Sequence, residues 1–361
     1  MASERKNEYA PDVVSPPGAT LQDVLDERGM TQSELAARMS RPKKTISEIV
    51  SGKEAVTPRT AIQLERVLGI PADFWMRREA LYREHQARAE EAAQLASATR
   101  WVSLFPLRDM ARLGWIAKRK EPVEQARELL GFFGIAAPAQ WKAVFAAAFR
   151  QSKAFEVDNG ALSAWLRRGE LVAREVGCEP FDAVRFREAL AEIRRLTMDS
   201  PEAFVPVLTA RCAAAGVAIA FVPELPKTRV SGATRWLSPK KALIQLSLRH
   251  KSDDHLWFTF FHEAAHILLH GKKAVFVEAD HDDSEQEQEA DRFAADALVP
   301  ADAVRRLRER TTLTEQAIID AAKRVGIAPG IVLGRLQHER VVPFSRFNNL
   351  KVRYKWTHEK A

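Results

Sequence analysis

The stretch that most constrains this chain runs from Trp257 to Gly271, WFTFFHEAAHILLHG, where a mostly apolar segment contains a His-Glu-x-x-His array. On a helix, residues four apart share one face, so His262 and His266 can both reach one metal ion. Glu263 lies about 100° further round the helix, where its carboxylate can address an attacking water molecule instead of the metal. The apolar flank predicts burial, and buried polar residues need partners. The stretch therefore predicts a zinc-peptidase helix; the alternative is a core helix that happens to carry two histidines.

The third protein ligand that a zinc peptidase needs is sought in the acidic segment 285–300, EQEQEADRFAADALVP. Its apolar residues recur every three or four positions, which predicts an amphipathic helix. Glu287 lies roughly 50° from the centre of the apolar face and Glu289 roughly 110° from it. Glu287 is therefore the better inward ligand, with Glu289 as the runner-up. Asp291, one turn after Glu287, can accept a hydrogen bond from the far nitrogen of a ligating histidine. Without the upstream motif, the segment would indicate only an acidic helix with a solvated face.

Two neighbouring features are weaker metal candidates. His270 is only eight residues after His262, and no turn separates them, so it is predicted to end the helix and bond its final carbonyls. The acidic loop 278–283 lacks the glycine and the spacing of a calcium loop, so it is predicted to be solvated.

The N-terminal part of the chain carries a second motif. Thr31 and Glu34 form a capping box that begins a helix at Gln32, and the run Ser-Arg-Pro at 40–42 ends it. A second helix is predicted over 43–50, and two short helices joined by a tight turn form a helix-turn-helix. The second helix suits a recognition helix in a major groove, and the alternative is a plain helical hairpin with a solvated basic face. The predicted DNA contacts are Gln32, Lys43, Lys44, Thr45, Ser47, Glu48 and Lys53.

Composition bounds the class of protein. A chain of 361 residues that is 46% hydrophobic has room for two or three globular domains. Its net charge of +7 favours association with polyanions. The two cysteines, Cys178 and Cys212, form no paired motif, which favours a reducing compartment. No stretch is apolar for long enough to span a membrane, so the expected location is the cytoplasm.

The predicted architecture is multidomain, mainly α with an α+β part. Its segments are a disordered lead-in at 1–19, an all-α helix-turn-helix domain at 20–76, a helical connector at 77–100, a helical middle domain at 101–204, a zinc-peptidase domain at 205–345 and a basic tail at 346–361. The connector is predicted to be solvated, with an exposed dimerising helix as the alternative. The middle region has no chemical motif, and its predicted core residues are Trp115, Trp141, Phe145, Phe149 and Trp165. Three short strands, at 217–222, 229–236 and 242–248, are predicted ahead of the motif helix.

The N-terminal motifs resemble a known family. Residues 20–95, with the patterns T-Q-x-E-L-A, T-I-S-E-I-x-x-G-K and T-P-x-T-A-x-x-L, resemble the Xre-type helix-turn-helix and particularly its HigA-like antitoxin branch. The resemblance implies a five-helix domain that works as a homodimer on double-stranded operator DNA. The run 41–44, Arg-Pro-Lys-Lys, departs from the Gly-Val-Ser-type turn of such proteins, so the bases that are read stay open.

The C-terminal motifs resemble the ImmA/IrrE metallopeptidases, which are zincin-like, over about residues 205–340. The shared patterns are F-x-x-x-H-E-x-x-H-x-L-L-H and E-x-E-A-D-R-F-A-A-x-x-L-x-P. By resemblance, His262, His266 and Glu287 bind Zn²⁺, Glu263 acts as the base, and some family members cut helix-turn-helix repressors. The pair Ala264-Ala265 replaces a frequent Leu-Gly, which favours the helix but reduces the space over the metal.

Two functions follow. The first is a DNA-binding transcriptional regulator whose zinc-dependent endopeptidase domain cleaves a regulator or partner protein, or itself, in a stress, phage or toxin–antitoxin response. The second is a non-proteolytic repressor or antitoxin whose zincin-like domain senses a signal or binds a partner such as a cognate toxin.

Overall fold

The computed structural model describes residues 14–146, 158–271, 275–278, 284–310 and 312–356. The chain divides into two compact units, Met1–Ser97 and Ala98–Ala361. Both have the predicted character, since the first is all-helical and the second joins helices to a small mixed sheet. In the part of the chain described, no helix is both long and apolar enough to cross a membrane. Phe149, most of the predicted lead-in and positions 279–283 of the acidic loop lie outside the described residues.

The described part of the first unit, residues 14–97, contains five helices, as the resemblance implied. Its helices are α1 (Pro17–Glu27), α2 (Gln32–Arg38), α3 (Lys43–Val50), α4 (Pro58–Leu68) and α5 (Ala72–Ala96). Helix α2 begins where the capping box predicts, because Thr31 Oγ1 accepts a hydrogen bond from the Glu34 amide at 3.1 Å. The α2 and α3 helices bury Leu35, Ile46 and Ile49 in a shared core. Gly18 lets α1 approach α3 closely, because a Cβ there would lie 2.0 Å from the carbonyl oxygen of Ile49.

Helix α5 runs without a break through position 76, where the helix-turn-helix domain was predicted to end. Trp75 is fully buried on one side of that position and Glu79 is buried on the other. The Glu79 carboxylate accepts a hydrogen bond from the Val56 amide at 3.0 Å and forms an ion pair with Arg83 at 2.7 Å. The first turns of the predicted connector therefore belong to the core of the first unit.

The sheet of the second unit has the strand order β1-β3-β2-β4. Its strands are β1 (Val217–Phe221), β2 (Gly232–Ser238), β3 (Lys241–Leu246) and β4 (Val275–Glu278). Strand β3 pairs with β1 in parallel and with β2 in the antiparallel sense, and β4 pairs antiparallel with β2. The three predicted strands are confirmed. Strand β4 was not predicted, because four residues beside an acidic loop give too short a pattern.

The helices described in the second unit lie before, between and after these strands in the sequence. They are Thr99–Val102, Leu107–Arg112, Pro122–Phe133, Gln140–Val144, Asn159–Glu175, Ala183–Ile193, Pro201–Ala214, Asp253–Leu269, Glu285–Leu298, Ala301–Arg308, Glu315–Val325 and Pro329–His338, with 3₁₀ turns at Arg194–Met198 and Asn348–Leu350. We call Asp253–Leu269 the motif helix and Glu285–Leu298 the acidic helix. The motif helix packs against β2 and β3, the acidic helix and Pro329–His338.

Helices from the predicted middle region share the core of the sheet. The Trp165 indole donates to the Val222 carbonyl at 3.1 Å, and the Gln245 amide donates to the Trp165 carbonyl at 2.7 Å. Phe186 packs in the same apolar cluster as Trp257 of the motif helix. Position 204/205, the predicted start of the peptidase domain, lies inside the helix Pro201–Ala214. The predicted core residues Trp115, Trp141, Phe145 and Trp165 are all buried.

The C-terminal segment packs on the start of the motif helix. The Lys351 ammonium forms an ion pair with Asp254 at 2.6 Å, and the Val352 amide donates to Asp253 Oδ1 at 3.1 Å. Tyr354 is buried in the main core. The sequence predicted a separate basic tail at 346–361, whereas residues 351, 352 and 354 contact the second unit.

The Asp253 carboxyl makes the stability of this unit depend on pH. Burial, together with the neighbouring Asp254 carboxylate, raises the pKa of Asp253 to about 6. A folded-state pKa above the unfolded value means that stability rises as pH falls from about 7 through 6 towards 4. We expect the free energy of unfolding of the wild type to rise over that range, relative to Asp253→Asn, by on the order of 2–3 kcal/mol. Urea unfolding of both proteins at pH 7 and pH 4.5 measures this, and parallel changes would contradict it.

Candidate metal centre

The motif helix carries its polar array into the interior of the protein. It begins at Asp253, and the Ser252 hydroxyl donates to Asp254 Oδ1 at 2.6 Å instead of capping the helix amides. Trp257, Phe260 and Phe261 anchor the helix in the main core. His262, Glu263 and His266 are consequently at most 2% exposed.

The acidic helix turns one glutamate towards the motif helix. Ser284 caps its first turn by accepting a hydrogen bond from the Glu287 amide at 3.4 Å. Ala290, Ala294 and Leu298 form its buried face. Small residues on that face let the two helices approach closely, and the Glu287 side chain is only 12% exposed. This face is the one that the apolar spacing predicted.

Three potential ligand atoms converge between the two helices. His262 Nε2 lies 2.9 Å from Glu287 Oε2 and 3.0 Å from His266 Nε2. His266 Nε2 lies 3.4 Å from the same Glu287 oxygen. Ligands at about 2.0–2.1 Å from a tetrahedral zinc ion stand roughly 3.3 Å apart. Two imidazoles and one carboxylate at these separations can hold a divalent metal and leave its fourth position open.

The hydrogen bonding around His262 determines which ring nitrogen faces the cluster, and this makes the cluster a site that favours a cation. Asp291 Oδ1 lies 2.9 Å from His262 Nδ1, so a neutral His262 that donates its Nδ1 hydrogen presents an unprotonated Nε2 to the cluster. That lone pair then faces the Glu287 carboxylate and the Nε2 atom of His266. A proton or a metal ion between these atoms relieves their repulsion, so the donor set fits a metal.

The electrostatics of the cluster favour the protonation states that metal binding requires. Burial acts to raise the pKa of Glu287, but hydrogen bonds with His262 and His266 outweigh it and hold the pKa at about 2. Burial lowers the pKa of His266, and the nearby Glu287 only partly offsets this. A ligating carboxylate must be ionised and a ligating histidine neutral, and the two pKa shifts lie in these directions.

Glu263 lies against strand β2. A Cβ atom at position 232 would stand 2.6 Å from Glu263 Oε1 and 2.5 Å from Thr259 Cγ2, so only glycine fits there. The Thr234 hydroxyl on the same strand donates to the backbone carbonyl of Glu263 at 3.0 Å. Gly232 was not among the predicted site residues, although a glycine inside a strand pattern is itself a signal of close approach.

His270 directly follows the motif helix, so it ends the helix as predicted, and its ring contacts Glu289. The motif helix ends at Leu269, and His270 has an extended backbone. Its Nδ1 atom lies 2.8 Å from His266 Nδ1, and its Nε2 atom lies 3.2 Å from Glu289 Oε2. The ring of His270 is turned towards His266, whereas the sequence predicted a bond to the last helix carbonyls. Glu289, the runner-up ligand, contacts His270, and the cluster of potential ligand atoms contains Glu287 instead.

The predicted DNA contacts all lie on the first unit, around α2 and α3. Lys43, Lys44, Ser47 and Lys53 are exposed, while Gln32, Thr45 and Glu48 are half-buried. The Gln32 amide donates to Gln22 at 2.7 Å, and Lys44 forms an ion pair with Glu48 at 3.7 Å.

Comparisons with known proteins match both units. A family described as helix-turn-helix matches residues 21–75, and the peptidase M78 family, described as an IrrE N-terminal-like domain, matches residues 221–337. The chain is 32% identical over 92 residues to the uncharacterized HTH-type transcriptional regulator YddM of Escherichia coli (strain K12), which is 26% of this chain and 86% of that protein. It is 35% identical over 68 residues to the virulence-associated protein A of Dichelobacter nodosus, which is 18% of this chain and 67% of that protein. Among solved structures, an addiction module antidote protein of a HigA family from Coxiella burnetii matches with a TM-score of 0.22 and 21% identity, over 23% of this chain and 92% of that chain.

Proposed function

Because this chain belongs to the helix-turn-helix family and carries an IrrE N-terminal-like domain, we propose that it is a DNA-binding transcriptional regulator with a zinc-dependent endopeptidase. Its substrate is a regulator or partner protein, or the chain itself, in a stress, phage or toxin–antitoxin response. A DNA-bound role places the protein in the cytoplasm.

One observation carries this proposal. The Nε2 atoms of His262 and His266 and one oxygen of Glu287 converge within 2.9–3.4 Å, and the next residue after the first histidine is the buried Glu263. A structural histidine pair would not need a third, anionic donor that points at both rings. Incubating the zinc-loaded protein with candidate helix-turn-helix repressors, followed by mass spectrometry of the products, tests the proposal. Intact repressors, together with an unchanged chain, would contradict it.

Glu263 is the residue to which we assign proton transfer. A zinc ion bound by the three ligands would polarise the scissile carbonyl and lower the pKa of a water molecule to about 7. Glu263 accepts a proton from the attacking water, whose oxygen bonds to the carbonyl carbon. The glutamic acid then delivers that proton to the leaving nitrogen as the carbon–nitrogen bond breaks. The Glu263 carboxylate lies beside Gly232, where a Cβ atom would stand 2.6 Å from Oε1.

A second candidate function is a repressor or antitoxin without proteolysis, in which this domain binds a partner or senses a signal. The observation that favours it is the complete burial of Glu263, which is 0% exposed. A substrate reaches such a residue only if neighbouring groups move. Comparing Glu263→Gln with Lys44→Ala in a promoter-reporter assay separates the two functions. If the glutamine variant still responds to the inducing signal as the wild type does, proteolysis is dispensable.

The proposed DNA interface predicts a change in salt dependence. Lys43 and Lys44 are exposed at the start of α3 and can contact phosphates. Each phosphate contact that is lost reduces the slope of log K against log salt by about 1. We expect Lys43→Ala/Lys44→Ala to reduce the slope by about 2 and to weaken binding across sequences. Fluorescence anisotropy with double-stranded DNA over a range of KCl measures this. Lys323→Ala, an exposed lysine of the second unit, is the control, and equal slopes for the two variants would contradict the interface.

We also propose that the first unit forms a homodimer. Ile62 on α4 and Phe74 and Leu81 on α5 are exposed apolar residues with 44%, 39% and 57% of their surface accessible. A dimer places two recognition helices on paired half-sites. We expect the wild type to sediment at the dimer mass and Leu81→Glu at the monomer mass. Equal masses would exclude this face as the interface.

A further inference from the structure

We propose that His270 and Glu289 are positioning residues that hold His266 in the orientation and tautomer that bind the metal. The inference rests on the proposed zinc site and not on proteolysis. It gives each ligand histidine its own carboxylate: Asp291 acts on His262 directly, and Glu289 acts on His266 through His270.

The contacts form an unbroken chain from the ligand cluster to the surface. His266 Nε2 lies among the potential ligand atoms, 3.0 Å from His262 Nε2 and 3.4 Å from Glu287 Oε2. On the other side of its ring, His266 Nδ1 lies 2.8 Å from His270 Nδ1. The far nitrogen of His270 lies 3.2 Å from Glu289 Oε2, and the Glu289 side chain is half-exposed. The chain therefore begins at the metal position and ends at a solvated anion.

Only one set of hydrogen positions lets every member of this chain serve the metal. His266 coordinates through Nε2 only if its hydrogen is on Nδ1, and that hydrogen points at His270 Nδ1. His270 can accept it only if its own hydrogen is on Nε2, where Glu289 accepts in turn. The chain thus fixes both tautomers in the same direction, with a carboxylate as the final acceptor. Orientation of this kind raises the basicity of a ligating imidazole.

The backbone explains why this second carboxylate needs an intermediate. On a helix, Glu289 lies about 200° round from Glu287, so the two side chains cannot approach the cluster from the same direction. Asp291 is four residues from Glu287 and therefore shares its face. The motif helix ends at Leu269, and the extended backbone of His270 lets its ring bridge His266 and Glu289. His270 is 8% exposed with both ring nitrogens engaged, which a simple helix-terminal residue would not require.

Two substitutions at position 270 test this series of hydrogen bonds, because only one of them leaves a hydrogen-bond acceptor for His266 Nδ1. Asparagine at position 270 can place its oxygen near the Nδ1 atom of the histidine, whereas leucine has no acceptor. We expect His270→Leu to weaken zinc binding by about 10–100-fold and His270→Asn to stay within about threefold of the wild type. Glu289→Ala is expected to weaken binding by several-fold. Glu285→Ala removes an exposed carboxylate from the same helix and should leave the affinity unchanged.

Competition of the full-length protein with a chromophoric chelator measures each dissociation constant, and the visible spectrum of the Co²⁺-loaded proteins reports the ligand geometry.

The outcomes separate this inference from the proposed function. If the wild type binds zinc and His270→Leu binds it equally well, the positioning role is overturned, whether or not the protein cleaves peptides. If leucine and asparagine weaken binding equally, the acceptor at Nδ1 is not the cause and the inference also fails.

Long-range ¹H–¹⁵N spectra of the histidine rings in the metal-free protein give a reading that does not depend on zinc. A hydrogen on His266 Nδ1 and on His270 Nε2 supports the chain, and the reverse pair contradicts it. Loss of peptidase activity with these readings intact would remove only the proposed function.

Discussion

Glu263→Gln is expected to lower the rate of peptide hydrolysis by about 10²–10⁴-fold while the zinc content stays at the wild-type level. The glutamine amide has nearly the same shape as the carboxylate, so it fits beside Gly232 as the glutamate does. It cannot accept the proton of the attacking water. The rate is measured as the appearance of new termini in a protein substrate, and zinc is measured by elemental analysis of the same preparations.

The control for this substitution lies in the same helix. Thr259→Ser keeps the hydroxyl and removes only the methyl group that faces Gly232, so we expect a rate within about tenfold of the wild type. A Glu263→Gln protein that hydrolyses as fast as the wild type would show that Glu263 is not the base. A variant that has lost zinc would show that the glutamate contributes to the metal site instead.

Glu287→Ala is expected to remove the bound metal. Glu287 supplies the only anionic atom of the three-atom cluster in the described chain, and hydrogen bonds with His262 and His266 hold the pKa of its carboxylate at about 2 despite burial. Its loss should weaken zinc binding by more than the roughly 10–100-fold that is typical of residues outside the ligand set. Because a metal that binds only the folded state stabilises it, the melting temperature of the wild type should fall on chelation and that of the variant should not. Equal zinc content in Glu287→Ala and the wild type would exclude Glu287 as a ligand, and Glu289→Ala would then be examined.

Local signals predicted the N-terminal unit closely. A capping box and a Ser-Arg-Pro break act over a few residues. Helix α2 begins at the capping box and ends before the break, and α3 covers the predicted residues 43–50. The spacing of the motif array and of the acidic helix also predicted which side chains the structure brings together at His262, His266 and Glu287. In each case the information is contained in one turn or one face of a helix.

The features that were missed depend on contacts between distant parts of the chain. Nothing near Gly232 in the sequence shows that Glu263 will lie against it, and nothing near Lys351 shows that it will pair with Asp254. The contact of His270 with Glu289 joins the residue after the motif helix to the acidic helix, so it could not be predicted from either segment alone. Helical periodicity also cannot tell which core a helix will join, as α5 shows by running through position 76.

Comparing the new protein termini produced by the wild type and by Glu263→Gln tests the central claim most directly. Each zinc-loaded protein is incubated in ¹⁸O-labelled water with a lysate of cells that lack the gene, and the termini are identified by mass spectrometry. We predict a small set of cleavage sites, in a regulator or in this chain itself, that carry the label with the wild type and are absent with Glu263→Gln. Identical termini in the two samples, from proteins with equal zinc content, would contradict the claim that this centre is a peptidase.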